Sequence, residues 1–234
     1  MGKRIISQRR GRATHTYRVR KKAFQHKISY PSAAQGETEI LSLIKSAGHT
    51  APLMKMKAQK TIFFIPAFQG AVVGEKITLG PEAKPETGNI LQIKNIPLTT
   101  QVYNIERHPG DGGKLIRSAG SSATITKDLG NNKFIILMPN KKELTVSGEC
   151  RATVGTIAGA GRQSKPFMTA GKKYFHMKAR SKLWPRTSAV SMNAIDHPFG
   201  SGRGKRIKRK IAKRNSPPGR RVGHLSPKRT GKKR

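Results

Sequence analysis

Ten of the eleven carboxylates in this 234-residue chain lie between residues 37 and 149, and that segregation decides which part can fold by itself. The same segment carries fourteen Lys and Arg, so it is close to neutral. Residues 1–36 carry ten basic residues and no acid. Residues 150–198 carry nine basic residues and one acid, Asp196, and residues 199–234 carry fifteen basic residues and none. Like charges at that density oppose compaction unless a polyanion neutralises them. The centre is therefore expected to fold alone. The two ends lack the apolar content to offset ordering entropy and are expected to stay mobile until bound. A formal net charge of +37 points to a phosphate-rich partner, nucleic acid first of all. No apolar run approaches the roughly 18 residues that a membrane-spanning helix needs. The opening MGKRIISQRRGR has no apolar stretch of the secretory kind.

The near-neutral centre reads as β-structure. TEILSLIK, APLMKMKA, KTIFFIPAF and AVVGEKITLG are rich in β-branched and aromatic residues, and Gly48, Pro52, Gly70 and Gly80 punctuate them. LMKMK alternates with period two, which leaves one face wet. Strands this short at this spacing predict a small barrel of the OB type. PEAKPETGN, Pro81 to Asn89, reads as a long turn. ILQIKNI, QVYNIER, SATITKD, KFIILMP, ELTVSG and CRATVGTIAG follow, with Leu129 to Asn132 as a hairpin turn, and predict an SH3-like barrel. The predicted fold class is mainly β, an OB-fold barrel followed by an SH3-like barrel, with long irregular basic N- and C-terminal extensions. The expected divisions are a basic arm at 1–36, OB core strands at 37–82, an SH3-like barrel at 83–160 and a Gly/Pro-rich basic extension at 161–234. No amphipathic helix is predicted, and Pro217, Pro218 and Pro227 interrupt the last segment.

Candidate chemistry is sparse. HPGDGGK, His108 to Lys114, looks like a phosphate loop, but Leu115 follows the lysine and His108 stands where a Walker sequence needs glycine. Gly200 to Lys205 fails the same test. Asp196 beside His197 invites an acid–base reading, but no second carboxylate or nucleophile is near in sequence. A His packed by Pro198, or bonded to phosphate or backbone, is the preferred reading. The remaining histidines are too scattered for a metal site. The lone cysteine, Cys150, excludes an internal disulfide and a cysteine zinc site, and reads as a small buried residue in a strand. No catalytic residue, metal or cofactor is predicted. In the arm, His15, Tyr17, Phe24 and His26 interleave with cations, a pattern that suits RNA through stacking beside phosphate pairing. The tail sets Arg and Lys on a Gly/Pro track, where Arg pairs phosphate bidentately.

Eight runs carry a further identification: RIISQRRGR, IPAFQGAVVGEKI, PGDGGKLIRSAG, CRATVGTIAGAGR, KPFMTAGKKY, MKARSKLWP, MNAIDHPFGSGRG and NSPPGRRVGHLSPKRTG. In this order, over almost the whole chain, they resemble the ribosomal protein L-two family, the universal protein two of the large ribosomal subunit. The resemblance is to the archaeal or eukaryotic branch, since Phe199 stands where bacterial members usually carry a second His. It implies a structural, non-enzymatic constituent of the large subunit, a primary rRNA-binding protein near the peptidyl transferase centre that supports subunit association and tRNA placement. It implies as partners the large-subunit rRNA, neighbouring ribosomal proteins and the small subunit across the intersubunit face, in cytoplasmic ribosomes, with no membrane. With the basic stretches, it places rRNA contacts at Arg9, Arg10, Arg12 and Arg18 in the arm and at Lys114 and Arg117 by the glycine loop. Further contacts are expected at Arg162, Lys172, Lys178, Arg180, Lys182, Trp184, Asn193 and His197, and at Arg203, Lys205, Arg206, Arg220, Arg221, Lys228 and Arg229. His197 matches the family's histidine and is given a structural or RNA-positioning role. Ser191, Ser201 and the very basic Lys205 to Arg214 depart from the family pattern. The alternatives are a general RNA chaperone or nucleic-acid packaging protein, and an RNA-acting enzyme using Asp196 and His197.

Overall fold

The computed structural model describes residues 2–32, 35–59, 61–202 and 211–227. Contacts divide the chain into two units, one of Arg20–Lys173 and one that joins Met1–Val19 to Tyr174–Arg234.

The first of these is the predicted β-structure, an OB-type half and an SH3-like half. Its strands are β1 (Gly36–Ile44), β2 (Leu53–Ala58), β3 (Thr61–Pro66), β4 (Lys76–Leu79), β5 (Ile90–Gln92), β6 (Gln101–Tyr103), β7 (Ala123–Asp128), β8 (Lys133–Leu137), β9 (Glu143–Ser147) and β10 (Arg151–Val154). They run β3-β2-β1-β4-β5-β10-β6-β7-β8-β9 across one continuous sheet. Pairing is antiparallel except at β4 and β5, which meet in parallel at Leu79 and Ile90. On β2, Met54, Met56 and Ala58 are buried while Lys55 and Lys57 keep some exposure, as the alternation requires. The β7–β8 hairpin turns through Gly130, Asn131 and Asn132, all at positive φ, with the Gly130 amide donating to Asp128 Oδ1 at 2.9 Å.

Two apolar cores form, and two short strands, β5 and β6, serve both. Ile90 of β5 and Tyr103 of β6 pack with Ile40, Met54, Met56, Ile65 and Ile77 in the first core. Their neighbours Leu91 and Val102 face the second, with Ile125, Ile136, Val146 and Ala152. Alternation of side chains along an extended strand makes this wall two-sided. Cys150 is fully buried in the second core, in the bend before β10 rather than within a strand.

The other unit contains what the sequence did not predict. The ends, expected as separate tails, meet. The Lys3 amide donates to the Ile195 carbonyl at 2.7 Å, and Lys3 Nζ lies 3.5 Å from Asp196 Oδ1. Ser181 Oγ donates to the Tyr17 carbonyl. Gln8 lies so close to Gly219 that a Cβ there would stand 2.6 Å from Gln8 Oε1. Ala212 bridges Leu225, its amide donating to the His224 carbonyl at 2.9 Å. Two helices were also unpredicted, α1 (Ile6–Gly11) and α2 (Ala170–Ala179). Neither buries a residue, so neither needs the 3.6-residue apolar period that would have revealed it. Ala, Lys and Met give α2 its local propensity instead.

Burial sets a pH limit on this fold. It pushes the Cys150 thiol up to about 11, with Glu106 and Asp111 adding to the effect. Burial likewise raises the Tyr30 and Tyr103 phenols. These groups keep their protons in the folded chain after the unfolded chain has released them. Their contribution is complete below the unfolded pKa values and is lost as pH rises through the folded ones. The melting temperature is expected to hold near neutrality and fall above about pH 9. Melting curves of Cys150→Ala should start lower but decline less between about 9 and about 11; parallel declines would refute the assignment.

Candidate nucleic-acid interface

The glycine loop after β6 is built around one carboxylate. Glu106 is fully buried, and a buried charge is tolerated only when paired and hydrogen-bonded. Its two oxygens accept from the amides of Gly110 (3.3 Å), Gly112 (3.0 Å) and Arg151 (2.8 Å). They also accept from Arg151 Nε at 3.2 Å and Nη2 at 2.8 Å. Arg151 continues outward, Nη1 donating to the Pro31 carbonyl at 2.7 Å and the guanidinium lying over the Tyr30 ring. Tyr30 donates to the Asn104 carbonyl at 2.8 Å and shares a 2.6 Å hydrogen bond with Thr153. Asp111 organises the loop from within, accepting from the amides of Arg107, His108 and Gly113.

Two glycines make this path possible. A Cβ at Gly113 would lie 2.6 Å from the Asn104 carbonyl oxygen, and one at Gly112 would lie 2.1 Å from Ser29 Oγ, both at positive φ. Lys114 is exposed at the end of the loop. Arg117 is half-buried and donates to the Gly113 carbonyl at 3.2 Å; burial lowers its pKa, partly opposed by Tyr30 and Asp111.

In the other unit, Asn193 to Gly200 forms a tight turn. The Asn193 carbonyl accepts from the amides of Asp196 (3.0 Å) and His197 (3.2 Å), and the His197 carbonyl accepts from Gly200 (2.8 Å). Gly200 is forced, since a Cβ there would stand 2.2 Å from the Asn193 carbonyl oxygen. Phe199 is buried against His197, rings 5.2 Å apart, and its amide donates to His197 Nδ1 at 3.1 Å. An amide can only donate, so the neutral ring carries its proton on Nε2.

The turn faces residues from both chain ends. Lys3, Arg4, Gln8, His197 and Arg220 line one pocket. Arg9, Arg10 and Arg12 lie at the end of α1, with Arg18 exposed beyond it. Lys172 and Lys178 lie on α2, where the Arg180 guanidinium reaches the His176 ring just past its end. Lys182 and half-buried Trp184 follow, and Arg162 lies in a short 3-10 turn. Arg221 Nη2 donates to the Ser216 carbonyl at 3.1 Å. Arg203, Lys205, Arg206, Lys228 and Arg229 lie outside the described residues. Of the expected contacts, His197 and Arg220 line one pocket together. Sequence reading missed Glu106, Asp111, Tyr30 and Arg151, which shape the loop, and Lys3, Arg4 and Gln8, which join His197. Among the described residues no cluster of three or more His, Cys, Asp or Glu could hold a metal, and no helix is long and apolar enough to cross a membrane.

Comparison with known proteins supplies a family context. Residues 86–218 match the family model described as Ribosomal Proteins L2, C-terminal domain. The large ribosomal subunit protein uL2 of the archaeon Hyperthermus butylicus is 42% identical over 238 residues, covering all of both chains. Those of Methanococcus maripaludis and Methanothermobacter thermautotrophicus are 41% and 40% identical, again over the full length of both.

Two substitutions test the geometry. Glu106→Gln leaves Arg151 without its buried partner and should destabilise the chain by about 3–5 kcal/mol in denaturant unfolding. Lys76→Ala, which breaks the exposed pair with Glu37, should change stability by no more than about 0.5 kcal/mol. Equal effects would refute the central role of Glu106. Gly200→Ala should shift the His197 and Phe199 ring resonances in NMR spectra while leaving those of the β-strands in place.

Proposed function

Since the chain belongs to the ribosomal protein L2 family, in its archaeal-type branch, we propose that it is a structural constituent of the large ribosomal subunit that binds large-subunit rRNA directly. In this reading it is a primary rRNA-binding protein near the peptidyl transferase centre, supporting subunit association and tRNA placement in cytoplasmic ribosomes. Neighbouring ribosomal proteins and the small subunit are its further partners. The barrels at 37–82 and 83–160 dock as preformed bodies, with Ile28 and Tyr30 of the arm already buried in them, while the rest of the arm at 1–36 and the extension at 161–234 follow the RNA.

One observation carries this reading. The unit built from the chain ends has Asp196 as its single acid, and among its described residues only Phe199, Gly200 and Ala212 are buried. Among the described residues, backbone and side-chain hydrogen bonds, close glycine contacts and the Lys3–Asp196 pair hold it, against strong mutual repulsion of its cations. Phosphates that neutralise those cations supply the missing stability, as any ligand that binds only the folded state does. Arg9, Arg12, Arg18, Lys182 and Arg220 are exposed for that purpose.

His197 fits a positioning role. Its Nδ1 accepts the Phe199 amide and its ring packs against the Phe199 ring, so the imidazole is held in a fixed orientation. A general RNA chaperone or packaging protein is the competing reading. Competition binding at about 0.3 M salt, where nonspecific phosphate binding is weak, separates the two. Large-subunit rRNA should outcompete an equally long, equally structured unrelated RNA. Equal competition would favour the chaperone.

A further inference from the structure

The glycine loop at Arg107 to Lys114 has the composition of a phosphate cradle, in which successive backbone amides converge on an anion. The structure commits every one of those amides elsewhere. Gly110 and Gly112 donate to Glu106. Arg107, His108 and Gly113 donate to Asp111. The Asp111 amide donates to the His108 carbonyl and the Lys114 amide to the Ile105 carbonyl. Pro109 has no amide hydrogen. The backbone of this loop therefore has no donor to offer a phosphate.

Acceptors are what remain. Tyr30, Arg117 and Asp111 already donate to the carbonyls of Gly112, Gly113 and His108. Among the described residues no donor reaches the carbonyls of Arg107, Pro109, Gly110 or Asp111. Arg107, Pro109 and Gly110 are exposed, and a Cβ built on Gly110 meets no atom within 4 Å. The crest of the loop thus carries four carbonyls with no internal partner among the described residues, Gly110 adds no side chain there, and Glu106 and Asp111 hold the intervening amides.

We infer that this crest reads the 2′-hydroxyls of RNA, accepting their hydrogen bonds through the backbone carbonyls of Pro109 and Gly110, and so distinguishes ribose from deoxyribose. The inference rests on the rRNA-binding reading above and specifies which RNA group this loop recognises. A phosphate has no proton to give, whereas the 2′-hydroxyl does. The wide, shallow minor groove of an RNA helix displays those hydroxyls, and a glycine crest admits the close approach that reading them needs. Arg107 and Lys114 flank the crest and are exposed for neighbouring phosphates. Glu106 and Asp111 are positioning residues, since they turn the amides inward.

Interference mapping tests this with the full-length chain. The probe is a large-subunit rRNA transcript carrying scattered 2′-deoxy phosphorothioate nucleotides, compared with one carrying scattered ribose phosphorothioates. Bound and free pools are separated at about 0.3 M salt. The variant tested beside the wild type is Gly110→Asn, because Asn tolerates positive φ and the site has room, so the fold survives while the crest is covered. The wild type should show one or a few positions where loss of the 2′-hydroxyl weakens binding about fivefold, the size of one neutral hydrogen bond. Ribose phosphorothioates should be harmless there, and Gly110→Asn, with an unchanged melting temperature, should abolish the interference. Retention of the rRNA without any 2′-deoxy interference sensitive to Gly110→Asn would overturn this inference alone. Failure to retain large-subunit rRNA in preference to unrelated RNA would overturn it together with the rRNA-binding reading.

Discussion

A single buried carboxylate fixes the geometry at the centre of the β-unit. Glu106 receives five hydrogen bonds from three amides and one guanidinium. Those donors come from the glycine loop and from the start of β10, and Arg151 reaches on to the segment at Pro31. Three stretches far apart in sequence are therefore locked by one charge. Such a pair is rarely the most stabilising way to fill an interior, because both ions lose their water. Its value lies in direction, since an apolar replacement would fill the space but could not aim the amides of Gly110 and Gly112.

The same contrast between direction and bulk separates the two halves of the chain. The β-unit is held by apolar burial, in two cores that share β5 and β6. The unit formed by the ends has almost no interior and is held by backbone hydrogen bonds and by glycines placed where nothing larger fits. Gly200 against Asn193, Gly219 against Gln8 and Gly223 against Phe199 are the clearest cases. A surface assembled this way can carry dense positive charge, because it depends little on being compact by itself.

How legible this was follows from the same physics. The strands of the centre were readable because apolar alternation and turn residues are local signals, and LMKMK, KFIILMP and the Asn131–Asn132 turn each carry one. The helices were not, because α1 and α2 bury nothing and so impose no period. Phe199 and Gly200 lay inside a motif legible as a family signature, but their packing on Asn193 and Gly223 was not, since those contacts are made by backbone and ring edges. Glu106 gave no signal at all. It sits in QVYNIER among residues that read as strand, and only the fold reveals that its carboxylate is buried and its partners lie in Gly110, Gly112 and Arg151. Arg151, inside the CRATVG run, looked like one more cation among forty-eight and is instead paired with that carboxylate.

The meeting of the chain ends has a consequence in time. Lys3 is among the first residues made, whereas its partners Ile195 and Asp196 come close to the end. At synthesis rates of about 5–20 residues per second, the first residues of the arm wait roughly 10 to 40 seconds before those partners are made. Throughout that interval the nascent protein displays Arg4, Arg9, Arg10 and Arg12 to every polyanion in reach. The β-unit, whose strands are complete by Val154, is finished before the unit that carries most of the charge has its second half.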